Sequence, residues 1–127
     1  MAELQHVLCV EDEPDIRTVA QIALETVGGL RTSFCPSGVE ALETARSCRP
    51  DLIVLDVMMP GLDGPGALKQ LRSDPQTREI PVVFMTAKVQ PNEVDELKSL
   101  GALDVVAKPF DPMKLAQQLR EIWARRS

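Results

Sequence analysis

Tyrosine is absent from this 127-residue sequence, tryptophan occurs once and phenylalanine three times. So thin an aromatic set offers no platform for stacking bases. Positive charge is also short: 14 Lys and Arg face 19 Asp and Glu, a formal net charge of −5. That balance argues against direct nucleic-acid binding and favours cations or a basic patch on a protein partner. His6 is the single histidine and has no Ser-Asp pair to join in a triad, so it reads as a polar residue near a strand start. No apolar run reaches the length of a membrane span, and the N-terminus lacks the basic-then-apolar layout of a signal peptide. Met1 therefore reads as a true start, and the expected setting is cytoplasmic with no membrane contact. Cys9, Cys35 and Cys48 are odd in number and form no Cys-x-x-Cys pair, so buried, reduced thiols are expected.

What is present is an alternation. Five apolar runs have strand length: His6–Val10, Arg31–Phe34, Leu52–Leu55, Val82–Met85 and Val105–Ala107. Helical periods fill the gaps. Ile16, Val19, Ala20, Ala23, Leu24 and Val27 form one stripe, ended by Gly28-Gly29. Ser37 and Glu40 make a capping box for a helix that buries Ala41, Leu42 and Ala45. Leu68 and Leu71 mark a third helix entered at Pro65, and Val94 and Leu97 a fourth, with Leu100 in its last turn and Gly101 ending it. Asp111-Pro112 is expected to open the fifth as N-cap and first helical residue, with Leu115, Leu119, Ile122 and Trp123 on one side and Arg125 and Arg126 at its C-terminal end.

Several strands are apolar throughout and lack the two-residue alternation of a half-exposed sheet. They call for an α/β fold, a doubly wound parallel sheet covered by helices on both faces. Right-handed crossovers then put every strand's carboxyl end along one edge. The chain shows no repeat or linker and is expected to form one domain over residues 1–127, with no room for a second.

Polar residues follow the strands. Glu11, Asp12 and Glu13 come after the first, Asp56 after the third, Thr86 after the fourth, and Lys108-Pro109 after the fifth. Any one of them is ordinary: an Asp after a strand is usually a turn residue, Thr86 a strand former, Lys108 a surface lysine. Their conjunction is not ordinary, because open parallel sheets bind ligands in the crevice beyond the strands' carboxyl ends. Carboxylates gathered there repel one another unless a cation is present, and Lys108 supplies only one charge. A hard divalent ion such as Mg²⁺ is the natural remainder, with Mn²⁺ able to take its place. A carboxylate can also attack phosphorus. On that reading Asp56 is the nucleophile, Asp12 binds the metal, Glu11 helps directly or through water, and Lys108 and Thr86 hold phosphoryl oxygens.

The segments VLCVEDEP, LIVLDVMMPGLDG, VVFMTA and VVAKPF, in this order and separation, resemble the receiver domain of bacterial two-component response regulators, stand-alone and chemotaxis-regulator-like. The resemblance covers essentially the whole chain. It implies a flavodoxin-like sheet in the order 2-1-3-4-5 and transfer of a phosphoryl group to Asp56 from a sensor histidine kinase or phosphotransfer protein. It further implies metal binding by Asp12, Asp56 and the backbone carbonyl of Met58, a cis Lys108-Pro109 bond, and a downstream protein target met by the helix 4–strand 5–helix 5 face. A monomer or a weak phosphorylation-dependent dimer is expected, with no enzymatic turnover beyond self-phosphorylation and slow autodephosphorylation.

Three positions depart from the family pattern. Val105 stands where an aromatic ring usually turns inward as Thr86 moves, so signal relay must use repacking around Val105 or another face. Met58 and Lys88 stand two after Asp56 and Thr86, where an apolar and a long side chain are expected to hinder water and lengthen the phosphorylated lifetime. Glu11 replaces the commoner Asp of the acid pair. Three other readings compete. A haloacid-dehalogenase-like phosphohydrolase would leave Asp56 without a role, and a flavodoxin-like electron carrier would set Glu11-Asp12-Glu13 against a flavin phosphate. A receiver that binds partners without phosphorylation is kept open by Val105.

Overall fold

A computed structural model of the chain describes residues 3–126; Met1, read as a start, lies outside them. Each apolar run forms a strand: β1 (His6–Val10), β2 (Arg31–Cys35), β3 (Leu52–Asp56), β4 (Val82–Thr86) and β5 (Asp104–Ala107). They make one parallel sheet in the order β2-β1-β3-β4-β5. The intervening helices are α1 (Pro14–Gln21), α2 (Gly38–Cys48), α3 (Gly64–Ser73), α4 (Pro91–Ser99) and α5 (Leu115–Ala124), with a π-helical stretch, Ile22–Val27, continuing α1.

Strand periodicity splits the core into two layers. Val7, Leu52, Val54, Val83 and Met85 face Leu24, Leu115 and Leu119 on one side of the sheet. Leu8, Val10, Ile53, Leu55, Val82 and Phe84 face Ala41, Leu68 and Leu71 on the other. Each fully buried Leu or Ile contributes roughly 1.5–3 kcal/mol. β1, β3 and β4 are buried along their whole length, which explains why they read as continuous apolar runs.

Pairing register places the polar residues. Val10 lies opposite Leu55, so Glu11 and Asp56 come level at the carboxyl edge. Thr86 lies opposite Ala107, so Lys108 emerges beside it.

Several local expectations need correcting. Asp56 and Thr86 are the last residues of β3 and β4 rather than the first residues beyond them, β2 extends to Cys35, and β5 begins at Asp104. The first helical stripe loses phase: Ala20, Ala23 and Leu24 are buried, whereas Val19 and Val27 are 40% and 41% exposed. For Val27 the π-helical stretch accounts for this, because its wider turn breaks the 3.6-residue period; Val19 precedes that stretch, and its exposure is that of the solvent side of α1. Leu42 is half-buried rather than buried, and so is Cys48, while Cys9 and Cys35 are buried; all three thiols are free. Asp111 caps a turn, not a helix: its Oδ1 accepts from the Met113 amide at 2.9 Å, and α5 begins only at Leu115. The Ser37 cap stands as expected, its Oγ accepting from the Glu40 amide at 3.3 Å.

Candidate functional site

The carboxyl edge of the sheet brings Glu11, Asp12 and Asp56 together, with one carboxylate oxygen of each within 4.8 Å of the others. Glu11 and Asp56 are 2% and 4% exposed, so their charges are largely removed from water. Such burial is costly without a partner. Lys108 is that partner: its Nζ donates to Glu11 Oε1 at 2.9 Å and to Asp56 Oδ2 at 3.1 Å. Burial alone would lower the Lys108 pKa, but the hydrogen bonds to Glu11 and Asp56, with their charges, outweigh it and hold the ammonium above its ordinary range. Burial, reinforced by a hydrogen bond with Glu11, raises the pKa of Asp12. One ammonium for three carboxylates leaves excess negative charge, and the donors are all oxygen. That donor set fits a hard divalent cation.

Thr86 stands at the end of the neighbouring strand, 4% exposed. Its Oγ accepts the Lys88 amide at 3.1 Å, which leaves the hydroxyl proton free to donate into the crevice. The Met58 amide approaches Asp56 Oδ1 at 3.4 Å, and the Met58 side chain is 70% exposed at the mouth. The Lys108-Pro109 bond is cis. Val105 lies half-buried in the layer that also holds Leu97 of α4, with no ring to swing. All the singled-out residues thus lie in or beside one crevice except Val105, which sits behind it in β5.

Two contributors escape a linear reading. Arg17, one turn into α1, donates through Nη1 to the Glu11 carbonyl at 2.7 Å and ties the acidic loop to the helix. No spacing rule signals this, because it depends on the loop folding back. Gly64 lies so close under β3 that a Cβ there would come within 2.5 Å of the Asp56 carbonyl oxygen. The Pro60–Gly64 turn signal marks the bend but not that approach. Behind the site, burial pushes the Cys9 thiol up to about 12, with the charges of Glu11 and Cys35 adding to it. Cys9 is a core residue, not a nucleophile.

Comparison with known proteins agrees with this geometry. The family model of the response regulator receiver domain matches residues 7–120. The transcriptional regulatory protein CseB of Streptomyces avermitilis is 40% identical over 125 residues, which cover 98% of this chain and 52% of that protein. The DNA-binding response regulator MtrA of Mycolicibacterium smegmatis is 36% identical over 116 residues, covering 91% of this chain and 49% of that one. The chain therefore spans about half the length of the curated relatives it matches. Among solved structures, the chemotaxis response regulator CheY4 of Vibrio cholerae superposes with a TM-score of 0.84 at 31% identity, covering 94% of this chain and 98% of that one.

Proposed function

This chain belongs to the response regulator receiver domain family, and on that premise we propose that Asp56 is its phospho-acceptor. The observation that carries the proposal is the bridging of Glu11 and Asp56 by one ammonium, Lys108, at the end of the sheet. A sensor histidine kinase or a phosphotransfer protein is the donor. An Asp56 oxygen attacks phosphorus while the bond from phosphorus to the donor nitrogen breaks, its electron pair leaving with the nitrogen. Lys108 turns from its carboxylate partners to a phosphoryl oxygen, and the Thr86 hydroxyl donates to another. Mg²⁺, or Mn²⁺ in its place, when held by Glu11, Asp12, Asp56 and the Met58 carbonyl, supplies positive charge to the transferring group.

The new group adds about two negative charges at Asp56. Redistribution of the Lys108 and Thr86 contacts then shifts the loop after β4 and alters the α4–β5–α5 face, changing its affinity for a downstream protein target. With Val105 in place of a ring, that relay runs through loop repacking. Residues 1–127 act as one cytoplasmic receiver domain, a monomer or weak phosphorylation-dependent dimer, whose own acidic surface meets proteins rather than nucleic acid or membrane. Its only turnover is self-phosphorylation followed by slow loss of the group.

The test is direct. Protein incubated with Mg²⁺ and acetyl phosphate should gain the mass of one phosphoryl group, release it to hydroxylamine, and gain nothing as Asp56→Asn. A wild-type protein that stays unmodified would overturn the reading in favour of a receiver that binds its partners without phosphorylation, the alternative that Val105 supports.

A further inference from the structure

The peptide that joins Glu11 to Asp12 decides where both carboxylates of the acidic loop can stand. Just before it the sheet secures the chain, the Glu11 amide donating to the Cys35 carbonyl of β2 at 3.1 Å. The carbonyl of the joining peptide is gripped by a side chain: Arg17 Nη1 donates to it at 2.7 Å. The Glu11 carboxylate is fixed as well, its Oε1 by Lys108 and its Oε2 by the Glu13 amide at 3.3 Å. Asp12, the next residue, is half-buried and keeps one carboxylate oxygen within 4.8 Å of those of Glu11 and Asp56. A loop entering a helix is usually tied to it by an N-cap side chain, and Glu13, the N-cap of α1, makes no such bond. Arg17 supplies the tie from inside the helix. It enters none of the ion pairs among the described residues, although Glu13 and Asp15 are close to it in sequence. Its charge is directed at the carbonyl instead, and a bond from a charged donor is about twice as strong as a neutral one.

We propose that Arg17 is a positioning residue of the cation site: through the Glu11 carbonyl it places the Asp12 carboxylate for a divalent cation, and this effect outweighs the repulsion between its own charge and that cation. The inference rests on the metal site proposed above. The two effects have opposite signs. Loss of the guanidinium charge alone tightens cation binding, because like charges no longer oppose each other. Loss of the bond frees the Glu11–Asp12 peptide and weakens binding; groups that orient a metal ligand from behind are typically worth roughly 10–100-fold in affinity. Arg17 is half-buried, so water and salt screen its charge, whereas neither screens the position of a ligand.

The experiment titrates Mn²⁺ into wild-type protein, Arg17→Met, Arg17→Lys and Asp12→Asn, reading free Mn²⁺ by electron paramagnetic resonance, with a thermal melt of each protein. Arg17→Met should raise the Mn²⁺ Kd roughly tenfold. Arg17→Lys, which keeps the charge and a donor on a long stem, should recover part of that loss. Should Arg17→Met not fold, Arg17→Gln is read against the same expectation. A Kd for Arg17→Met equal to that of wild type, beside an Asp12→Asn that has lost the ion, would overturn the proposal, and a lowered melting temperature with that unchanged Kd would make Arg17 a structural tie only. Tighter binding by Arg17→Met would overturn it as well, in favour of charge. Wild-type protein that leaves the free-ion signal unchanged would remove the metal site itself, and this role of Arg17 with it.

Discussion

Single residues set the chemistry through burial. Met58 is 70% exposed and lines the cleft onto Asp56, and on the proposed reading its apolar chain would stand in the path of water approaching an aspartyl phosphate. Met58→Asn is expected to shorten the phosphorylated lifetime severalfold, read from decay of the phosphorylated mass; an unchanged lifetime would show that water takes another path. His6 marks a different use of burial. Its Nε2 bonds Ser33 Oγ at 2.8 Å, and Arg31 reaches its Nδ1 at 3.4 Å, an arrangement that suits the neutral ring. Burial first, and then the Arg31 charge, lower its pKa below the ordinary 6.5 against the opposing pull of Asp51. The unfolded chain therefore binds more protons in the window below 6.5. Stability contributed by the neutral ring is complete above that pH and is lost as pH falls towards the folded-state value. Urea midpoints taken down through that window should fall for wild type, with a shallower fall for His6→Gln.

Elements carry the site by where they stop. β3 delivers Asp56, the turn with Gly61 at φ +75° reverses the chain, and the Asp63 carboxylate caps α3 by accepting from the Gly66 amide at 2.9 Å. The first residue of α3, Gly64, lies against the backbone of Asp56 and Val57. Gly64→Ala cannot fit without moving β3 or α3, and a loss of about 1–3 kcal/mol is expected in urea denaturation, as for overpacking generally. Element types were legible because burial on both faces imprints continuous apolar runs, whereas the strand order was implied only by the family resemblance. Boundaries were less so. A π-helical turn has no sequence signature in the Ile16–Val27 stripe, and Asp111-Pro112 serves a turn as well as it would a helix start. Where the first helical segment ends, its packing on α5 is visible: Gly28 backs onto Ala116, and Arg120 of α5 reaches the Gly28 carbonyl.

At the scale of the molecule, the sheet is fully buried along the strands that carry the acids and thinly covered where α4 lies. No residue of α4 is fully buried, and Asp104 of β5 is tied to Lys98 at 3.6 Å and Arg125 at 3.5 Å only through exposed ion pairs. Surface pairs of that kind are worth about 0–1 kcal/mol, so they set only a small barrier to the rearrangement of this face proposed above. The acidic end carries the complementary prediction. An ion that binds only the folded chain stabilises it by mass action, about 2.7 kcal/mol at a hundredfold excess over Kd. Mg²⁺ should raise the melting temperature of wild type by several degrees and that of Asp12→Asn by little; an equal rise in both would remove Asp12 from the metal site.

The sequence by itself determined the alternation of strands and helices, the two apolar layers and the identity of the acids, the hydroxyl and the ammonium. Each of those follows from residue type and near-neighbour spacing. Only the tertiary structure decided that Lys108 bridges Glu11 and Asp56 across 97 and 52 positions of chain, that Arg17 folds back on the acidic loop, and that a cleft with Ile16, Val19 and Phe110 in its lining adjoins Asp56. Those contacts join residues remote in sequence, and register, crossover handedness and helix packing, none of them local properties, set the distances between them.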